Sequence, residues 1–196
     1  MHNCIFSAHC TENSCDISCP ILAETTYLLE RNNISMDSHV FNKDPYFINK
    51  TLKTLEQSKG ALTTVISPGN TVETSELLTY CAICQNWQGS KLHCKVYNLR
   101  LSKYIEAIKN SWSKRSEPEK LEYMKIWSES ADVLIISHID FVIFKDFESQ
   151  TLLNLIQSRQ GCNKTTIVVS PKISTLGGDG KFFATLQSIL SKAVKS

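Results

Sequence analysis

The sequence predicts an α/β fold in which a parallel β-sheet is sandwiched by helices and preceded by a small cysteine-rich appendage. Residues 133–136 form an uninterrupted apolar run of strand length, which is typical of a central parallel strand covered on both faces. Shorter strand patterns occur at 61–66, 95–99 and 165–169, and helical patterns separate them. Strands that alternate with helices indicate a parallel sheet with right-handed crossovers.

The bulk composition narrows the class of protein. At 196 residues, the chain can form one α/β domain with an appendage but not two full domains. A net charge of +2 does not indicate a strongly basic nucleic-acid-binding protein. No apolar run approaches the length of a membrane span, and the first residues do not resemble a secretory signal. We therefore expect no membrane association and a cytoplasmic location.

The N-terminal segment is rich in cysteine, with the spacing C-x5-C-x4-C-x3-C. In a reducing compartment such a cluster favours a metal site over disulfides. Tetrahedral zinc bound by thiolates is one solution, and an iron–sulfur cluster is the alternative. The spacing lacks a C-x2-C pair and matches neither consensus well, so unliganded cysteines are the remaining interpretation. The predicted metal ligands are Cys4, Cys10, Cys15 and Cys19.

The chain divides into three predicted parts. Residues 1–32 combine the cysteine-rich segment with a helix over 21–32. Pro20 lies at the start of this helix, a position that favours proline. Residues 33–60 form a linker and a second helix, and residues 61–196 form the α/β domain.

Other patterns fill the α/β domain. Cys81 and Cys84 form a C-x2-C pair inside a helical pattern, which favours buried helical cysteines over a ligand pair. Cys94 and Cys162 are isolated, and we expect both in or near the core. The predicted helices of this domain cover residues 75–87, 102–112, 121–128, 147–159 and 182–194, and a flexible glycine-rich turn covers 177–180.

Residues 67–74 follow the first strand, which is where a phosphate-binding loop would lie. Aligned with the pattern G-x-x-x-x-G-K-S/T, Ser67 and Val72 replace the glycines that let the backbone curl round phosphates. Glu73 replaces the lysine and would repel a nucleotide triphosphate. Thr74 alone keeps its residue type and is the candidate cofactor-binding residue. The pattern therefore predicts a disabled loop.

The end of the strand at 133–136 also lacks the residue types that nucleotide hydrolysis requires. A nucleotide-hydrolysing α/β protein places acidic residues there for magnesium and the attacking water. In this chain the strand is followed by Ser137 and His138, and the first acid is Asp140. A lone histidine at a strand end is more often structural than catalytic.

These segments together resemble the AAA+ ATPase domain of bacterial and phage replicative-helicase loaders, a P-loop NTPase fold. The matching stretches are TTVISPGNTVETSELLTYCA, VYNL, ADVLIISHIDFVIF and LLNLIQSRQGCNKTTIVVSP, within roughly residues 60–190. The resemblance implies that the helix ending near Arg159 precedes a strand carrying a polar sensor residue, here Ser170. Gram-positive loaders also have a cysteine-containing N-terminal domain that engages the helicase, and residues 1–20 are similar in kind.

This chain departs from the family's pattern at three positions. Glu73 replaces the phosphate-binding lysine, and Ser137 and His138 replace the two acids. Losing all three argues against ATP binding and hydrolysis. We therefore expect a non-catalytic adaptor in DNA replication or recombination, with a replicative helicase, a loader or DNA as its partner. The candidate DNA-facing charges, which a solvated face would equally explain, are Lys91, Lys95, Arg100, Lys103, Lys109, Lys114 and Arg115.

Two alternatives remain open from the sequence. The first is a divergent ATP-binding helicase-loader ATPase in which Thr74, Asp140 and Arg159 still act. The second is an iron–sulfur redox or DNA-surveillance protein that uses the N-terminal cysteines.

Overall fold

Four parallel strands form the centre of the computed structural model, which describes residues 20–35, 45–88, 95–113 and 118–194. Their order across the sheet is β1-β4-β3-β2. The strands are β1 (Leu62–Ile66), β2 (Val96–Arg100), β3 (Val133–Ser137) and β4 (Thr165–Ser170). The predicted α/β class with an all-parallel sheet is confirmed.

Helices cover both faces of this sheet. One face carries α1 (Pro20–Arg31), α2 (Pro45–Gln57) and α3 (Thr71–Gln88). The other face carries α4 (Leu101–Ser111), α5 (Pro118–Ser130), α6 (Asp146–Gly161) and α7 (Lys181–Lys192). Within the described ranges, no helix is long and apolar enough to cross a membrane.

The apolar run of β3 is explained by the two covering layers. Leu134, Ile135 and Ile136 are all fully buried. Leu134 and Ile136 belong to the cluster beneath α4 to α7, whereas Ile135 belongs to the cluster beneath α1 to α3. Because successive side chains of a strand point to opposite faces, a strand buried on both sides needs apolar residues throughout.

The helices before β1 pack against the same sheet. One buried cluster contains Leu29 of α1, Leu55 of α2 and Ile34, which lies between these helices. The same cluster contains Ile135 and Ile167 of the sheet. The region predicted as helix and linker therefore contributes to the core. The four N-terminal cysteines predicted as metal ligands lie outside the described residues.

The cysteines of the α/β part differ in exposure. Cys81 and Cys84 are buried on α3, as predicted, and burial raises the pKa of the Cys81 thiol to about 12. Such a thiol stays protonated and unreactive. The prediction that Cys162 lies in or near the core is wrong, because it is exposed at the C-cap of α6. Cys94 lies outside the described residues.

The turn predicted as flexible before α7 is held by backbone contacts. Phe144 donates its N–H to the Gly177 carbonyl at 2.9 Å and accepts from the Asp179 N–H at 2.9 Å. A Cβ added at Gly178 would lie 2.5 Å from the Phe144 carbonyl oxygen. Glycine is required here because two backbone segments approach each other closely.

Candidate functional site

The carboxyl ends of β1 and β4 form a topological switch point. After β1 the chain passes into α3 on one face, and after β4 it passes into α7 on the other. Open parallel sheets bind ligands in the crevice at such a point. The two strand ends are joined directly, since Ser67 donates its N–H to the Ser170 carbonyl at 2.8 Å. Ser170, predicted as the sensor position, therefore lies beside the degenerate loop.

The N-terminus of α3 at this point is capped by the chain itself. The helix begins at Thr71, within the stretch expected to form the loop, and not at residue 75. Asn70 Oδ1 accepts the Glu73 N–H at 2.9 Å, and its Nδ2 donates to Glu73 Oε2 at 3.1 Å. The sequence analysis missed this cap, although Asn followed three residues later by Glu is a recognised helix-start pattern.

This cap changes what the helix end can bind. A helix N-terminus attracts anions because its first N–H groups are unpaired and carry partial positive charge. Here the Glu73 N–H is already bonded to Asn70, and the Glu73 carboxylate adds negative charge in the first turn. A phosphate group would have to displace the Asn70 amide and approach that carboxylate.

Thr74, the candidate cofactor-binding residue, is half-buried and engaged. Its Oγ1 shares a hydrogen bond of 2.7 Å with Ser67 Oγ. Ser67 Oγ also lies 3.2 Å from the Asn70 carbonyl oxygen, to which it can donate. The structure therefore brings Ser67 and Thr74 together, and they bond to each other across the turn.

At the end of β3, Ser137 points beneath α3. It is buried and donates to Asn98 Oδ1 at 2.7 Å. Asn98 in turn donates to Thr79 Oγ1 at 3.1 Å. The position aligned with the first acid thus forms part of a buried polar network between β2, β3 and α3. Sequence reasoning could not find this network, because its members meet only through the strand order.

His138 has an unusual backbone conformation. Its φ is 57° and its ψ is 31°, the left-handed region that non-glycine residues rarely adopt. The imidazole contacts the ring of Phe141 at a centroid distance of 5.2 Å. Burial lowers the pKa of His138, the nearby cations lower it further, and the nearby acids oppose the change. The charged groups that face it are Arg100, Lys103, Asp140 and Glu76.

Asp140 lies close to the N-terminus of α3. Thr71 Oγ1 is 3.3 Å from each of its carboxylate oxygens. Asp140 itself is exposed. The first acid after β3 therefore does reach the switch point, together with Glu73. Among the described residues, no group of three or more His, Cys, Asp or Glu side chains converges on a possible metal position.

Arg159 does not belong to this site. It is 1% exposed and bonds to the Ala131, Ser128 and Thr165 carbonyls at the amino edge of the sheet. The crevice lies at the opposite, carboxyl edge. The role that the alternative ATPase hypothesis gives to Arg159 is thus not available to it in this structure.

Of the four candidate DNA-facing charges that the structure describes, three are engaged in separate contacts and the fourth, Lys103, is exposed. Lys109 pairs with Glu148 at 2.5 Å, and Arg100 donates to the Asn33 carbonyl at 3.2 Å. Lys95 lies over the Trp127 ring, 5.8 Å from its centroid. Those beyond the described residues are Lys91, Lys114 and Arg115.

Two large apolar side chains are exposed between β3 and α6. Phe141 is 65% exposed and Ile143 is 73% exposed, while Val142 and Phe144 are buried. The sequence predicts an apolar stretch here but gives no sign of which members face solvent. These residues adjoin the switch point through the contact of Phe141 with His138.

No protein-family model matches the chain, and no curated protein shows significant similarity to it. The resemblance to helicase loaders therefore rests on the order and spacing of motifs, and the fold rests on the sheet described above.

Proposed function

We propose that this chain is a non-catalytic, AAA+-like adaptor in DNA replication or recombination that binds a replicative helicase, a helicase loader or DNA. The observation that carries the proposal is the capped N-terminus of α3 at the switch point. Asn70 and Glu73 fill the position that a nucleotide-hydrolysing relative would leave for phosphate. A fold can serve as an interaction surface after its catalytic site is lost.

The electrostatics of the crevice support the same proposal. Glu73 and Asp140 both lie at the N-terminus of α3. Like charges at short range repel strongly in a partly desolvated site, so these acids disfavour a triphosphate. A magnesium ion would reduce this repulsion only if it found ligands, and Thr74 is already bonded to Ser67.

The exposed apolar pair favours a protein partner over DNA. Phe141 and Ile143 adjoin the switch point. Exposed aromatic and aliphatic side chains of this kind commonly form the centre of protein interfaces. DNA binding would instead require lysines and arginines free to contact phosphates. Of the described candidate cations, Lys109, Arg100 and Lys95 have contacts within the chain, and Lys103 is exposed.

Calorimetric titration with magnesium and ATP tests the missing chemistry. We expect no binding at millimolar nucleotide from the unaltered chain or from Glu73→Lys, because both keep the bond from the residue-73 N–H to Asn70 Oδ1 and the Ser67–Thr74 bond. Magnesium-dependent binding that Thr74→Ala abolishes would instead support the divergent ATPase.

A direct binding assay tests the adaptor role. Purified replicative helicase, helicase loader and single-stranded DNA from the source organism are each titrated against the full chain. We expect one protein partner to bind and Phe141→Ser/Ile143→Ser to weaken that binding. Ile126→Ser, at an exposed apolar position of α5, is the matched control and should bind normally. Absence of binding to every candidate would contradict the proposal.

We propose further that Cys4, Cys10, Cys15 and Cys19 hold a metal ion, with zinc preferred to an iron–sulfur cluster. Four thiolates suit tetrahedral zinc, which would order a segment that has little apolar core of its own. Elemental analysis of anaerobically purified protein should give about one zinc per chain and no visible absorption band. Iron with a broad visible band would favour the cluster, and neither metal would contradict both assignments.

A further inference from the structure

The outer edge of β2 is covered by a side chain in place of a strand. On its inner side β2 faces β3, since the Lys95 carbonyl accepts the N–H of Asp132 at 2.8 Å. Backbone groups alternate in direction along a strand, so Val96 and Asn98 present theirs to the outside. An uncovered row of such groups is a template for pairing with another chain.

Asn32, just after α1, occupies this edge. Its Nδ2 donates to the Val96 carbonyl at 3.3 Å, and its Oδ1 accepts the Asn98 N–H at 2.6 Å. One residue of a neighbouring parallel strand would make the same two bonds to the residues on either side of Tyr97. Asn32 is 2% exposed, so this amide is a buried substitute for a strand.

Neighbouring contacts hold this amide in position. The guanidinium of Arg31 lies over the rings of Tyr27 and Trp127, 4.9 Å from each centroid. Arg100 at the end of β2 donates to the Asn33 carbonyl at 3.2 Å. Contacts on both sides of Asn32 therefore join the end of α1 to β2 and α5.

We propose that residues 31–33 form an edge guard, which keeps β2 from pairing with the β2 of a second copy of this chain. Two identical edges related by a two-fold axis pair in antiparallel orientation. Centred on Asn98, that pairing would set Val96 opposite Arg100, so like charges would not face each other. The guard is a conformational device of the fold and does not depend on the proposed function.

Sedimentation velocity of the full chain over a range of concentrations tests the guard. The buffer contains a reductant, because Cys162 is exposed and could cross-link copies. Arg31→Ala/Asn32→Ala removes the amide and its anchor, and we expect dimerisation roughly tenfold or more tighter than in the unaltered chain. Arg31→Ala/Asn32→Asp keeps an acceptor for the Asn98 N–H and places a negative charge at the edge. This variant should therefore dimerise no more than the unaltered chain.

Two further measurements separate edge pairing from loss of stability. Leu55→Ala removes packing from the same core cluster and keeps the Asn32 side chain that bonds to β2, so it should not dimerise. Hydrogen exchange at the Asn98 amide should be fast in the double-alanine monomer and slow again in its dimer. If the double-alanine variant dimerises no more than Leu55→Ala, or if Asn98 stays unprotected in its dimer, the guard is refuted.

Discussion

Replacing Arg159 by methionine should strongly destabilise the chain without affecting the carboxyl-edge crevice. The guanidinium donates to Thr166 Oγ1 at 2.9 Å and to the Ser128, Ala131 and Thr165 carbonyls at 2.9, 2.8 and 2.6 Å. It therefore joins the end of α5, the segment before β3 and the start of β4. Burial lowers its pKa to about 10, so it remains charged at neutral pH.

The magnitude follows from the groups that the substitution leaves behind. Each hydrogen bond from a charged donor contributes about 1.5–3 kcal/mol, and burying the guanidinium offsets part of that sum. Methionine would remove the burial cost but leave three buried carbonyls without this donor. We expect a net loss of about 3–5 kcal/mol, which is a large part of the roughly 5–15 kcal/mol that holds a domain folded.

Urea unfolding and thermal melting measure this loss. For a chain of this size, a loss of about 3–5 kcal/mol lowers the midpoint of melting by roughly 6–20 °C. Lys164→Met is the control, since Lys164 Nζ donates at the same corner to the Glu129 and Ser130 carbonyls, at 2.8 and 3.1 Å, but is only partly buried. If Arg159→Met costs no more than Lys164→Met, the buried guanidinium is not the clamp described here.

Other predictions concern single groups. Burial alone would raise the pKa of Glu148, but its lysine and backbone donors hold that pKa below the usual range. Its stabilising effect is therefore present above its unfolded pKa and is lost as pH falls through the folded value. Glu148→Gln should cost about 1–2 kcal/mol in urea unfolding at pH 7, and the difference should shrink in acid. The pKa of His138, followed by NMR titration, should lie below 6.5. Because the folded chain disfavours the charged imidazole, the contribution of His138 to the free energy of unfolding should decline as pH falls below 6.5. Gly178→Ala should destabilise by about 1–3 kcal/mol through its clash with Phe144, whereas Gly177→Ala, with open space around it, should change little in the same melts.

The sequence predicts the strands well because burial on both faces dictates their composition. Leu134, Ile135 and Ile136 could not form a continuous apolar run on a half-exposed strand without placing apolar side chains in water. The start of α3 is less predictable. A single Asn70 cap moves the helix into a stretch that residue type alone assigns to a loop.

The site is predictable only in part, because its contacts depend on the order of the strands. The sequence places Ser67 and Ser137 at strand ends, and the structure agrees, whereas Thr74, expected in the loop, lies in the first turn of α3. It does not show that Ser137 would bond to Asn98, because β2 and β3 become neighbours only in the folded sheet. Nor can a helical pattern distinguish an arginine that faces solvent from one that is buried, as Arg159 is.

The internal bonding of the crevice bears on whether its chemistry could be restored by one substitution. Polar groups at ligand-binding edges normally depend on a ligand or water to satisfy them. Here eight of them bond to one another through the pairs Asn70–Glu73, Ser67–Thr74, Thr71–Asp140 and Asn98–Ser137, whereas the buried hydroxyl of Ser170 has no hydrogen-bond partner. A phosphate would have to break several of these bonds, each contributing about 1 kcal/mol, before making any of its own. A lysine at position 73 would supply a positive charge, but the backbone N–H of that residue would stay bonded to Asn70 Oδ1. We therefore expect Glu73→Lys alone to remain unable to bind ATP.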